Sequence, residues 1–282
     1  MAYKALINSA TKNGDDNTNG TVLHSMLPSQ IRFQFDHVFR CLVVGPSNAG
    51  KSTLILQILR NSDKFFTRKF DHVIYFIPYE SMTADRETYV QKLRECVPNL
   101  EVIEGLPDSK RIMSLDGHKL LYIDDLFYSA CNSYDFMNLA VMASHHGNAS
   151  LFLTSQNLYF PSRFRMTIQR QFNHWIIFSM ISDRAMLANL SKQLLDKRDF
   201  LPKCMDWFRD QNLFKASYLR YVWIDLNSSN VHMPDELRIR TNIIRGPIII
   251  LQENSDTNKN NDWLIKDDDN DDYVNKGETK NK

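Results

Sequence analysis

The segment Gly45-Pro46-Ser47-Asn48-Ala49-Gly50-Lys51-Ser52-Thr53 limits what this chain can fold into more than any other feature. It places glycine, four residues, then Gly-Lys-Ser between an apolar run, Cys41-Leu42-Val43-Val44, and a stretch with an apolar stripe, Leu54-Ile55-Leu56-Ile58-Leu59. Glycines let the backbone curl until successive N–H groups face an anion, and a following helix adds its positive end. Lys51 has the reach to the β- and γ-phosphates of a nucleotide, and the Ser52 hydroxyl is suited to ligate Mg²⁺. Gly45, Asn48, Ala49, Gly50 and Thr53 complete the expected ATP cradle through their backbone. A strand that turns at such a loop into a helix belongs to an α/β sheet.

The rest of the chain alternates in the manner such a sheet requires. Strands are expected at 38–44, 72–77, 100–103, 119–123, 150–154, 175–178 and 216–226. Helices are expected at 52–60, 86–96, 137–143, 184–195 and 201–211. Strands separated by helices imply a mostly parallel sheet covered on both faces. Residues 1–30 are rich in Asn, Gly, Asp and Thr and read as a flexible arm. Residues 253–282 carry Asp267-Asp268-Asp269 and Asp271-Asp272 and read as a disordered acidic tail; neither end has the apolar content to offset ordering entropy. The domain proper is therefore placed at 31–252. Apolar runs fall far short of the roughly 18 residues a membrane span needs, and no leader-like start is present. The four cysteines, Cys41, Cys96, Cys131 and Cys204, fit neither a disulfide ladder nor a zinc box and read as free thiols of a reducing compartment.

Two more strand ends carry chemistry. Leu120-Leu121-Tyr122-Ile123 runs into Asp124-Asp125, and ligands of open α/β sheets sit at the carboxyl ends of strands. Asp124 is assigned to the Mg²⁺ shell through water, and Asp125 to polarising an attacking water. On its own, such a pair is equally well a turn or a helix N-cap. Leu151-Phe152-Leu153-Thr154 ends in Ser155-Gln156-Asn157. Where an additional strand lies between the loop strand and the acidic strand, a polar side chain there senses the γ-phosphate; Gln156 is the candidate, with Asn157 as the neighbour that orients it. His145-His146 lacks Cys or acidic partners and is not read as a metal pair, while Trp175 and Trp207-Phe208 are read as core.

Taken in order, these motifs resemble the genome-packaging ATPases of the FtsK–HerA superfamily, nearest the poxvirus-type group also carried by Polinton/Maverick elements and adintovirus-like viruses. The resemblance runs from Phe33 to Ile250. It includes Glu104-Gly105-Leu106-Pro107, Asp124-Asp125-Leu126, Ser144-His145-His146-Gly147-Asn148 leading to Thr154-Ser155-Gln156-Asn157-Leu158, Ser162–Arg165, Asp183-Arg184, Asp225-Leu226 and Leu237-Arg238-Ile239-Arg240-Thr241. Two departures stand out: Asn48-Ala49 where many relatives have Gly or Ser, and Asp125 where many have Glu. The resemblance implies a three-layer P-loop NTPase of the additional-strand type. It further implies a homo-oligomeric ring, a pentamer or hexamer, that threads double-stranded DNA into a preformed capsid and docks on capsid vertex proteins. Such a chain would work inside an infected host cell, in the nucleus or a cytoplasmic virus factory, or travel with the virion.

Hydrolysis in such rings generally draws on an arginine from the neighbouring subunit. Arg165 is the first candidate, Arg163 the second and Arg170 the third. The overall charge of +1 hides an excess of +5 on residues 1–252, from 29 basic and 24 acidic residues, against nine acidic and five basic residues in the tail. Residues 160–245 hold 14 Lys/Arg and 8 Asp/Glu, including Lys192, Lys197, Arg198 and Lys203. This surface suits non-specific contacts to DNA phosphates, or a solvated face. A GTPase is disfavoured because no Asn-Lys-x-Asp motif occurs. A small-molecule kinase, and a scaffold or capsid-vertex adaptor that binds ATP without hydrolysing it, remain open alternatives.

Overall fold

Runs such as Cys41-Leu42-Val43-Val44 and Leu120-Leu121-Tyr122-Ile123 are apolar on both sides of the pleat. Each strand must therefore be roofed and floored by helices. The computed structural model describes residues 3–8, 34–178, 184–195, 198–199, 201–203, 205, 221–226, 236–240 and 248–253. Ten strands form one sheet: β1 (Tyr3–Asn8), β2 (Arg40–Val44), β3 (His72–Ile77), β4 (Leu100–Glu104), β5 (Lys119–Ile123), β6 (Ala149–Ser155), β7 (His174–Phe178), β8 (Tyr221–Asp225), β9 (Glu236–Arg240) and β10 (Ile248–Glu253). Their order is β1-β10-β9-β8-β7-β2-β6-β5-β3-β4. The strands from β7 to β4 pair in parallel, with Val43 opposite Thr154 and Ile123 opposite Leu153. This is the additional-strand arrangement, since β6 separates the loop strand β2 from the acidic strand β5.

Alternation along each strand divides the core into two layers. Cys41, Val43, Tyr75, Tyr122, Phe152, Ile176 and Trp223 face one side. There they meet α1 (Lys51–Arg60), α2 (Ser62–Phe65) and α3 (Ala84–Cys96) through Leu54, Ile55, Ile58, Phe65, Val90 and Leu93. Leu42, Val44, Phe76, Ile123, Leu153, Trp175 and Ile177 face the other. That side is covered by α4 (Ser109–Ser114), α5 (Phe127–Asn132), α6 (Tyr134–His146), α7 (Arg165–Gln169) and α8 (Arg184–Leu195). Each fully buried Leu or Ile of α1 contributes about 1.5–3 kcal/mol of transfer free energy. The three-layer α/β architecture expected from the sequence is the one observed.

Several details differ from the sequence expectation. Beyond β7 the sheet continues antiparallel through β8, β9, β10 and β1. The expected arm at 1–30 thus contains a strand, Tyr3–Asn8, paired with Ile248–Glu253. The helix expected at 137–143 extends over Tyr134–His146, because Ser133 caps it by accepting from the Phe136 amide. Four short helices (α2, α4, α5, α7) fall where no periodic pattern is long enough to announce them. Of the helix expected at 201–211, residues 206–211 lie outside the described residues, as do Trp207-Phe208 and Cys204. Trp175 is buried as expected, and Cys41, Cys96 and Cys131 are free thiols. No helix among the described residues is long and apolar enough to cross a membrane.

Candidate nucleotide site

The loop after β2 is bound to the next strand by the Gly45 amide, which donates to the Ser155 carbonyl at 3.0 Å. A Cβ at Gly45 would stand 2.6 Å from the Phe178 Cβ, so only glycine lets the loop leave the sheet this close to β7. Asn48 (φ 61°) and Gly50 (φ 98°) are both left-handed, which curls the loop tightly, and the Ala49 amide donates to the Pro46 carbonyl at 3.3 Å. Gly50 caps α1 with no side-chain hydrogen bond, and the first turn of that helix holds no acid. Its leading N–H groups are thus left for an incoming anion. By contrast α3 is capped by Thr83, whose hydroxyl accepts from the Arg86 amide, and it carries Asp85 and Glu87 in its first turn.

Lys51 is buried, and its Nζ donates to the carbonyls of Gly45 (2.8 Å) and Pro46 (3.0 Å). Burial lowers its pKa, while the charges of Asp125 and Asp124 work in the opposite direction. Asp124 ends β5 almost fully buried. Its Oδ1 accepts from Thr154 Oγ1 at 2.7 Å, and its Oδ2 from the Tyr75 hydroxyl at 2.9 Å. Arg86 lies 3.5 Å from the same Oδ2. The Thr154 hydroxyl also accepts from the Asp125 amide at 2.9 Å, so one side chain of β6 fixes both acids. Asp125 takes a left-handed backbone (φ 55°). Burial and the neighbouring Asp124 charge raise its pKa, against Lys51, Gln156 and Arg86, a direction suited to a proton acceptor.

Gln156, at the end of the additional strand, bridges the two halves of the site. Its Oε1 accepts from the Ser47 hydroxyl (2.9 Å), and its Nε2 donates to Asp125 Oδ2 (3.4 Å). Asn157, expected to orient it, instead closes its own turn. The Asn157 Oδ1 accepts from the Tyr159 amide and the Asn157 amide donates to Ser155 Oγ. Ser52, in the first turn of α1, accepts at its carbonyl from the Tyr89 hydroxyl at 2.9 Å. Thr53 is exposed on α1.

The structure thus brings together Lys51, Asp124, Asp125 and Gln156. The candidate arginines have local contacts instead. Arg165 donates to the Leu158 carbonyl (3.2 Å) and stacks on Tyr159, while exposed Arg163 lies over Phe164. Arg170, Lys192, Arg198 and Lys203 are exposed; Lys197 and the His145-His146 side chains lie outside the described residues. Sequence reasoning gave no role to Ser47, Tyr75, Arg86, Tyr89 or Thr154, although Ser47 and Thr154 lie within the motifs it singled out.

The donors suit Mg²⁺. The Ser52 hydroxyl and Asp124 carboxylate are hard oxygens, and Mg²⁺ is typically held by one or two protein oxygens together with substrate phosphates. No group of three or more His, Cys, Asp and Glu among the described residues forms a metal cage.

No family model matches the chain, and no curated protein matches it. Among solved structures, it is similar to the genome packaging NTPase B204 from Sulfolobus turreted icosahedral virus 2 in complex with AMP. That match has 17% identity and a TM-score of 0.42, and covers 71% of this chain and 98% of that one. The same protein with ATP-γS matches at 15% identity, covering 73% and 98%, with a TM-score of 0.39. The flagellar accessory protein FlaH from Methanocaldococcus jannaschii matches at 12% identity, covering 59% and 80%, with a TM-score of 0.37. The chain's own strand order, with its loop after β2 and acids after β5, defines the fold as that of a P-loop NTPase.

Proposed function

We propose that this chain hydrolyses ATP and couples hydrolysis to moving double-stranded DNA, as a homo-oligomeric ring that fills a preformed capsid. One observation carries the enzymatic half: the additional strand sets Gln156 between Ser47 of the loop and Asp125 of the acidic pair. The Lys51 ammonium, stored on two loop carbonyls, is available to move onto the β- and γ-phosphates. Asp125, with Gln156 beside it, accepts a proton from the attacking water. Mg²⁺ held by Ser52 and Asp124 would supply charge neutralisation at the phosphates. Arg163 or Arg165 of a neighbouring subunit would complete the site.

The DNA half rests on the ordered motifs of the sequence and the basic excess of residues 160–245. Its phosphate contacts would be sequence-independent and would weaken steeply with salt. The proposed setting is an infected cell, with a pentameric or hexameric ring docked on capsid vertex proteins.

The test is ATP turnover of the assembled protein with and without duplex DNA. DNA-stimulated hydrolysis that disappears in Lys51→Ala supports the proposal. ATP bound but never turned over would favour a capsid-vertex adaptor. In the same assay Arg163→Ala or Arg165→Ala should keep ATP binding and lose turnover, and mixing either with Lys51→Ala subunits should partly restore it.

A further inference from the structure

Of the ion pairs among the described residues, Arg60–Glu95 and Arg111–Glu101 are solvent-exposed on both partners. Arg86–Asp124 is withdrawn from water, with side-chain exposures of 19% and 7%. The pair joins α3 to the acid at the end of β5. It is a single 3.5 Å contact rather than the short two-pronged grip arginine makes with a carboxylate when the pair is built to last. The guanidinium has a second engagement. Its Nη1 donates to Ser81 Oγ at 2.5 Å, and the Ser81 hydroxyl donates to the Pro78 carbonyl at 2.5 Å. Through these bonds the connector 78–83, between β3 and α3, is tied to the nucleotide site. That connector presents Tyr79, 73% exposed, and Met82, 40% exposed, at the surface. Tyr79 sits over Gly105, where a Cβ would come 2.5 Å from its hydroxyl.

We propose that Arg86 is a positioning residue acting in cis as a latch. It holds the cation place at Asp124 in the nucleotide-free chain, gives it up when the metal–nucleotide enters, and thereby frees the connector 78–83. The inference rests on reading Asp124 as the metal-side carboxylate. The reasoning is electrostatic: a guanidinium and a divalent cation repel one another at one carboxylate in a poorly hydrated site. Tyr75 and Thr154 are neutral donors and keep Asp124 oriented whether or not Arg86 is present. When the guanidinium leaves, Ser81 keeps only its bond to Pro78, the tie between the connector and the site is cut, and the surface bearing Tyr79 and Met82 changes with the state of the site.

The experiment uses the full chain and ATP-γS as probe, with two readouts that need no turnover. The first is the Mg²⁺ concentration that half-saturates ATP-γS binding. It should fall about threefold to tenfold in Arg86→Ala, the scale of one lost ion-pair contact. The second is amide hydrogen exchange over 78–86. Exchange should rise in the wild type when Mg²⁺ and ATP-γS are added, and should already be high without them in Arg86→Ala. Ser81→Ala, which keeps the charge but cuts the tie, should raise that exchange while leaving the Mg²⁺ requirement within about twofold of wild type. A Mg²⁺ requirement that rises or stays unchanged in Arg86→Ala, or exchange that ignores nucleotide in the wild type, overturns the latch. Wild-type chain that binds no ATP-γS, or binds it equally well as Lys51→Ala, overturns the nucleotide-site reading itself.

Discussion

Thr154→Val tests the central claim about how the acids are held. The Thr154 side chain is fully buried on the additional strand. Its hydroxyl donates to Asp124 Oδ1 at 2.7 Å and accepts from the Asp125 amide at 2.9 Å. Valine has nearly the same shape, so no cavity opens and the loss is confined to hydrogen bonding. A bond to a charged acceptor is worth about 1.5–3 kcal/mol, and an orphaned amide costs about 1–3 kcal/mol. The Asp125 amide is only partly buried, so water relieves some of that second amount. The sum is about 2–4 kcal/mol of lost stability, read as a fall in the urea midpoint at unchanged slope. Because the lost bond orients Asp124, steady-state ATP turnover should fall about 10–100-fold, as for other supports of metal-side ligands. ATP binding at saturating Mg²⁺ should persist. Thr154→Ser keeps the hydroxyl and should retain turnover, losing only about 1 kcal/mol for the methyl group. A Thr154→Val protein within about 0.5 kcal/mol of wild type, with full turnover, would refute the reasoning.

Two further outcomes follow from the geometry. Gly45→Ala places a methyl 2.6 Å from the Phe178 Cβ. It should destabilise the protein by about 1–3 kcal/mol and weaken ATP binding by displacing the loop, measurable by thermal unfolding with and without nucleotide. A separate effect concerns pH. His37 Nε2 and His118 Nδ1 lie 2.7 Å apart, and burial, His118 and Arg68 lower the His37 pKa from 6.5 to about 4. The unfolded chain therefore takes up a proton near pH 6.5 that the folded chain refuses until about pH 4. Stability contributed by neutral His37 is present above pH 6.5 and is lost as pH falls toward 4. With His37 partly open to solvent the loss is discounted to about 1 kcal/mol. Urea midpoints at pH 7 and 4.5 should converge in His37→Asn, relative to wild type, if this pair carries the effect.

Much of the site is legible in the sequence because its chemistry is local. Gly45, Gly50, Lys51 and Ser52 occupy one loop whose spacing is dictated by backbone curvature, and Asp124-Asp125 terminate an apolar run that can only be a central strand. Gln156 follows by the same logic one strand over. The supports are not legible. Tyr75 and Arg86 meet Asp124 across 49 and 38 residues of sequence, and Thr154 meets it across 30. The additional-strand arrangement places β6 beside β5, but nothing in a single sequence states the register that sets Thr154 against Asp124, or that β3 flanks β5 on the other side. Of the antiparallel wing, β8 falls within the strand expected at 216–226, while β1, β9 and β10 were hidden. Strands such as Glu236–Arg240 and Tyr3–Asn8 mix charged or polar residues with apolar ones. They are defined by the partner they pair with rather than by any apolar run of their own. The short helices α4 and α7 are too brief for a 3.6-residue period to declare itself.

The division of the core by the sheet also has a spectroscopic meaning. Trp175 and Trp223 are both buried, but they belong to opposite layers, Trp175 with the α4–α8 side and Trp223 with the α1–α3 side against Phe35. The layer of Trp223 is also the one that carries the phosphate loop's helix. In variants that keep one tryptophan each, emission from Trp223 would report on the α1–α3 layer and emission from Trp175 on the layer behind the sheet.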